Sequence, residues 1–296
     1  MSTLNIVILS RLPSGYAEKH LLANCIERGH SAEIIKFTKI SLLINGEQSN
    51  SVIYGENSLS NVDVVIPRLY GGPGDYGISV LRQFELMGVY TPNKSIAISR
   101  ANQTVRAMQI MSSKGIALPK MIIARGTDDL ASRIDALQIP FLLQRTSDRD
   151  ANQMLVESKR TANAMLSVLG SSNDIFIAQE FDTIAQKTVY KALIIGKTVS
   201  ASLKVNKISD SPLKALPYPL TTEQLKVVNK TVKSMGLAIC EIDIIDGRSG
   251  PEVIRVSANP DIEFYEKNTT RDVTAKMIEY IERNAKQRNK KDRIGA

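Results

Sequence analysis

A chain of 296 residues, 43% hydrophobic and 23% charged, is too long for one comfortable hydrophobic core and is expected to pack as two or three lobes. No apolar run approaches the roughly 18 residues that would span a bilayer, and the opening MSTLNIVILSRLPSG reads as a first strand rather than a signal peptide, so a cytoplasmic location and no membrane partner are expected. The formal charge of +8 favours anionic partners without choosing among nucleic acid, phosphates and acidic peptides.

Strand and helix patterns alternate from the start. Asn5 to Leu9 is a buried-strand run, and Ala17, Leu21, Cys25 and Ile26 then recur at helical spacing before Gly29. Further strands are predicted at Ala32 to Lys36 and Val62 to Pro67, with a turn-rich hairpin or loop between Ile44 and Ser60. Val80, Leu81, Phe84 and Met87 mark the next helix, closed by Gly88. This alternation predicts a parallel sheet with covering helices.

Pro92 and Asn93 mark a boundary, because the residue before proline is pushed out of helix and Asn favours turns. A helix through Val105, Met108 and Met111, strands at Met121 to Ala124, Pro140 to Arg145 and Met154 to Val156, and a helix from Thr161 to Leu169 predict a small α+β lobe. Strands at Ile175 to Ala178, Val189 to Ile195, Lys197 to Val205, Glu241 to Ile245 and Val253 to Val256 predict another sheet, with Gly196 at a hairpin turn. Thr221 and Gln224 have capping-box spacing, opening a helix with the stripe Leu225, Val228, Val232 and Met235 and a stop at Gly236. A final helix carries Val273, Met277 and Ile281. The predicted division is 1–92, 93–175 and 176–284, followed by a basic tail, 285–296.

Cys25 and Cys240 have no metal or redox spacing and read as buried core thiols. His20 and His30 are too few, and too far from a nucleophile, to support a His-based metal site or a Ser/His/Asp triad.

The segments Ile66 to Tyr70, Tyr76-Gly77, Leu81 to Glu85, Arg106 to Gln109, Gly115 to Pro119, Ala178 to Phe181, Ile242 to Ile244, Gly250-Pro251 and Lys276 to Arg283 resemble the RimK branch of the ATP-grasp proteins, the ribosomal-protein glutamate ligases. The resemblance runs from Asn5 to about Arg283. It implies an α/β and α+β chain: a Rossmann-like pre-ATP-grasp lobe, then the small and large lobes of an ATP-grasp fold. It also implies ATP held between those lobes, magnesium held by carboxylates, and a carboxylate activated by phosphorylation and then attacked by an amine.

Most positions where the resemblance puts phosphate and metal ligands carry other chemistry. Thr104 and Gln144 stand at the places of two phosphate-binding lysines, each loss removing a charge-assisted bond of about 1.5 to 3 kcal/mol. Arg145 is adjacent to Gln144 and should point to the opposite face of its strand. The loop Ser147 to Gln153 has no glycine and two aspartates, poor material for wrapping a triphosphate. Gln179, Glu180 and Phe181 match the adenine-hinge segment. Val189 and Lys191 replace a ribose-binding Asp and the Arg that follows it, Lys204 partly echoes a substrate-side basic strand, and Pro212 and Lys214 replace an Arg and an Asn.

Asp243 matches the first magnesium ligand, but Arg255-Val-Ser257 stands where the family has Glu-x-Asn, and Ala258-Asn259-Pro-Asp261 replaces a small Gly-ended turn. A guanidinium at a metal-ligand position is expected to exclude magnesium and to pair with Asp243. Two further readings are an anion held by Arg255 and a metal site rebuilt by Glu241 with Asp243.

The expectation is a catalytically degenerate RimK-like protein with no cofactor. It would bind a small anion, an acidic peptide or a ribosomal protein, or regulate an active ligase paralogue, as a homo-oligomer. The alternative is an ATP- and magnesium-dependent carboxylate–amine ligase, adding glutamate to a ribosomal protein or peptide through Arg145, Lys191, Lys204, Glu241 and Asp243. The tail cations Arg283, Lys286, Arg288, Lys290, Lys291 and Arg293 allow weak, non-specific nucleic-acid contact at most, since no stacking aromatics interleave them.

Overall fold

The computed structural model of the chain describes residues 3–45, 51–69, 76–146, 153–170, 173–206 and 214–285. In the first lobe β1 (Asn5–Ser10) leads through α1 (Tyr16–Glu27) to β2 (Ser31–Lys36), and a small antiparallel sheet of β3 (Ile40–Leu43), β4 (Ser51–Tyr54) and β5 (Asn57–Ser58) precedes β6 (Val64–Arg68). The hairpin or loop expected between Ile44 and Ser60 includes the antiparallel pair β4–β5. The main sheet is parallel, in the order β2-β1-β6. Central β1 is covered on both sides, which is why Ile6 to Leu9 is a continuous apolar run rather than an alternating one. Ile6 and Ile8 pack with Ala17, Leu21 and Cys25 of α1, whereas Val7 and Leu9 pack with Val80, Leu81 and Phe84 of α2 (Tyr76–Leu86). Burial pushes the thiols of Cys25 and Cys240 up to about 12, in keeping with inert core cysteines.

Asn93 follows the first sheet and its helices, and its side chain does more than turn the chain. Its Nδ2 donates to the carbonyl of Ile239 at 2.6 Å, and its Oδ1 accepts from the amides of Ala238 at 2.8 Å and Ile239 at 3.0 Å. Two helices follow, α3 (Ser95–Asn102) and α4 (Thr104–Ser113), where one was expected.

The small lobe holds β7 (Met121–Arg125), α5 (Thr127–Ala131), β8 (Phe141–Arg145), β9 (Met154–Val156), α6 (Lys159–Leu169) and β10 (Ile175–Glu180). Its sheet order is β7-β10-β8-β9. The Ile175 to Ala178 strand, expected in the last sheet, pairs antiparallel with β7 and β8 instead. Phe176 and Ala178 on one of its faces close the core beneath α5 and α6, a partnership that an apolar run does not reveal by itself.

The last sheet contains β11 (Thr188–Ile195), β12 (Thr198–Asn206), β13 (Lys214–Pro217), β14 (Ile239–Gly247) and β15 (Gly250–Ser257), in the order β13-β12-β11-β14-β15. Gly196 makes the β11–β12 turn at φ 69°, and its Cα lies so near Tyr280 that a Cβ would come within 2.8 Å of the ring. Between β13 and β14, α7 (Thr222–Met235) carries both halves of the predicted capping box and ends at Gly236, φ 69°. It packs on one face of the sheet, while α8 (Ile262–Asn268) and α9 (Val273–Asn284) join the core on the other. Among the described residues no helix is long and apolar enough to cross a membrane.

Candidate functional site

Strand register assembles the site. On β11, β14 and β15, Lys191 lies opposite Asp243, Asp243 opposite Arg255, and Glu241 opposite Ser257. Directly opposed residues share a face, and residues two apart on a strand do too, so Lys191, Glu241, Asp243, Arg255 and Ser257 all project from one side of the sheet. Lys191 Nζ donates to Glu241 Oε1 at 2.9 Å and to the two Asp243 oxygens at 3.0 and 3.2 Å. Arg255 directs Nη1 and Nη2 at Glu241 Oε1, at 3.1 and 2.9 Å, while its Nε stands 3.7 Å from Asp243 Oδ2. The amide of Asp261 adds a long bond of 3.4 Å to Glu241 Oε2.

The arrangement is layered. The Glu241 and Asp243 carboxylates are buried, Lys191 is mostly covered, and the Arg255 side chain is 47% exposed. Burial raises the Asp243 pKa, as does the neighbouring Glu241 charge, and the two cations only partly offset this. Burial works against the charge on Lys191, yet Asp243 and Glu241 together hold its ammonium above the ordinary lysine value; the same pair raises Arg255. Two cations and two carboxylates thus cancel within one cluster.

This donor set does not fit a divalent ion. Glu241 and Asp243 are both bonded by cations, Lys191 and Arg255, which compete with any metal for the same oxygens. At about 4 Å and an effective dielectric near 20, two like unit charges repel by about 4 kcal/mol, and a divalent ion beside Arg255 roughly doubles that. The carboxylates read as a metal site on Asp243, alone or rebuilt with Glu241, are bonded here by Lys191 and Arg255. The expected Arg255 to Asp243 pair is corrected in one respect: Arg255 bonds chiefly to Glu241, and Lys191 takes Asp243. A register shift between Asp243 and Ile244 interrupts the β14–β15 ladder beside Arg255, whose long side chain crosses diagonally to the deeper carboxylate.

Other predicted site residues divide. Ser257 and Asn259 adjoin the cluster, with the Ser257 hydroxyl donating to the Asn259 carbonyl at 3.0 Å and accepting from its amide at 3.2 Å. Lys204 does not join it. Lys204 lies opposite Tyr190, one residue out of step with Lys191, so it belongs to the reverse face of the sheet, with Nζ 6.0 Å from the Tyr218 ring centre. Arg145 likewise points away from Gln144, as strand alternation requires, and pairs with Asp174 at 3.2 Å. Gln144 accepts from Gln153 Nε2 at 3.2 Å. In the hinge segment the Glu180 carboxylate accepts from the Gln138 amide at 2.9 Å, and the Phe181 amide bonds the Pro140 carbonyl at 3.0 Å. Gln179 lies opposite Leu142 and Met121. Val189 is buried. Residues 147–152 of the glycine-free loop, Pro212, the Lys214 side chain and the tail beyond Ala285 fall outside the described residues.

Sequence reasoning missed Tyr265 and Phe264. Tyr265 on α8 is fully buried, its hydroxyl has no hydrogen-bond partner among the described residues, and burial together with the Glu241 and Asp243 charges raises its phenol well above the ordinary range. The Phe264 ring centre is 6.0 Å from Lys191 Nζ. Asp261 followed by an apolar residue is a helix-start pattern that could have revealed α8, and Asp261 does cap it, accepting from the Phe264 amide at 3.1 Å.

Residues 4–98 match the RimK PreATP-grasp domain and residues 101–281 the RimK-like ATP-grasp domain. The chain is 32% identical over 293 residues to a probable alpha-L-glutamate ligase of Maridesulfovibrio salexigens, covering 95% of this chain and 96% of that protein. It is 31% identical over 292 residues to a ribosomal protein bS6–L-glutamate ligase of Escherichia coli, covering 95% and 97%. A solved structure of the ATP-grasp ligase PsnB complexed with minimal precursor, Mg and ADP superposes with a TM-score of 0.74 at 15% identity, covering 95% of this chain and 98% of that one.

Proposed function

Since the chain belongs to the RimK-like ATP-grasp family, we propose that it is a family member that binds an acidic peptide or a small carboxylate-bearing anion without a divalent ion and does not perform metal-assisted phosphoryl transfer. The observation that carries this reading is the bonding of Lys191 and Arg255 to Glu241 and Asp243. A guanidinium presents a planar fork of donors that matches a carboxylate, and Arg255 keeps nearly half of its side chain open to an incoming anion. The carboxylates behind it hold both cations in place, so the outer surface of the cluster offers positive charge while its inner layer stays neutralised. Isothermal titration of the full chain with a glutamate-rich peptide in the presence of EDTA is expected to give binding that chelation leaves unchanged. Micromolar binding of Mg-ATP in a separate titration without EDTA would overturn the proposal.

A second reading has its own support. The relatives named as glutamate ligases cover almost the whole chain at 31–32% identity, and they favour an ATP-dependent carboxylate–amine ligase more than they favour a degenerate protein. The expectation of no cofactor gains nothing from them either, and PsnB is known with Mg and ADP. On this reading Glu241 and Asp243 would hold the metal in place of their bonds to Lys191. Release of ADP and phosphate that depends on glutamate and an acceptor peptide decides for it.

A further inference from the structure

The face of the last sheet opposite the Lys191 cluster is covered by α7, whose outer surface has a composition of its own. Lys226, Lys230 and Lys233 follow the spacing i, i+4, i+7 and are all exposed. At about 1.5 Å of rise per residue they form a stripe about 10 Å long. Lys230 Nζ donates to the carbonyl of Gly115 at 2.9 Å, which brings the end of α4 alongside and adds the exposed Lys114 to the same surface. None of these four lysines forms an ion pair with a carboxylate among the described residues. The remaining exposed residues of α7 are Thr222, Glu223 and Asn229, with no aromatic or large apolar side chain. The stripe is held on a helix fixed at both ends, by the Thr221–Gln224 capping box and by left-handed Gly236.

We propose that this surface docks the phosphodiester backbone of a nucleic-acid duplex, without reading its sequence. Lysine is a compact point charge suited to phosphate oxygens, and four that are not neutralised by acids hold counterions that a polyanion would release. Protein interfaces deplete lysine and rely on aromatic or arginine anchors, which this face lacks. Without stacking aromatics it has no means of gripping unpaired bases, so a regular duplex backbone suits it better than a single strand. Because α7 backs the sheet on the side away from Lys191 and Arg255, the docked duplex leaves the anion cluster open.

The test is fluorescence anisotropy of the full chain with a labelled DNA duplex of arbitrary sequence, titrated with salt from about 50 to 200 mM. The comparison is with the variant K114Q/K226Q/K233Q, which keeps Lys230 and its contact to Gly115. Binding is expected to weaken linearly in log–log form, with a slope shallower in the variant by about 0.9 per lysine, so about 2.7 in all. A thermal melt confirms that both proteins are folded, and the basic tail is common to both. Equal slopes, or no binding by the parent at the lowest salt, would refute the proposal. So would poly-glutamate competing as well as unlabelled duplex at equal charge, which would assign the face to an acidic protein.

Discussion

The five-stranded and four-stranded sheets place charged side chains in opposite settings. In the larger sheet Lys191, Arg255, Glu241 and Asp243 form one cluster whose carboxylates are removed from water. In the smaller sheet the corresponding event is the pair of Arg145 with Asp174, each more than a third exposed. The contrast teaches that bond length does not rank these interactions. The distances differ by only a few tenths of an ångström, but solvent screens the second pair and hardly reaches the first, so removing one partner leaves a stranded buried charge in one sheet and a hydrated one in the other.

Replacing Lys191 by Met tests the buried half of that comparison and carries the largest expected effect, a loss of about 3–5 kcal/mol in denaturant unfolding, because the two carboxylates would retain only Arg255. The same substitution has a pH signature. The folded-state pKa of Lys191 lies above its ordinary 10.5, so its contribution is complete below that value and disappears as pH rises through the higher folded one. Stability of the parent should therefore decline above about pH 10.5 more steeply than that of K191M. Equal alkaline limbs would mean that Lys191 is not charged-paired in solution.

An intermediate effect is expected one layer deeper. Tyr265 buries a hydroxyl without a partner among the described residues, and Y265F should raise stability by about 1 kcal/mol, as read by the denaturant midpoint. Lower stability instead would indicate that the hydroxyl is bonded to an internal water in solution. The smallest effect belongs to the exposed pair: R145Q and D174N, alone or together, should each move stability by no more than about 0.2–1 kcal/mol and less at high salt. A double-mutant cycle giving several kcal/mol would erase the distinction between the sheets.

Much of the architecture was legible because it follows from short-range pattern. The buried run of β1, the capping box of α7, the turn at Gly196 and the opposed directions of Gln144 and Arg145 all depend on neighbours a few residues away. What could not be read depends on partners distant in the chain. Strand β10 has the composition of either sheet, and only its docking beneath α5 and α6 decides the matter. Asp243 and Arg255 could be matched as positions, yet that Lys191, 52 residues before Asp243, reaches it first is a consequence of register. Lys204 illustrates the reverse error: a cation read as part of the pocket sits one residue out of phase and faces the other way. Tyr265 carried no warning, since a tyrosine on an amphipathic helix is ordinarily core.

Asn93 uses both ends of its amide on the backbone at the start of β14, standing in for a missing neighbouring strand. The first lobe and the acidic strand are thereby fastened at a point only two residues from Glu241. A motion that parted them would have to break these bonds, whereas the link between β10 and β11, from Phe181 to Lys187, is a covalent crossing.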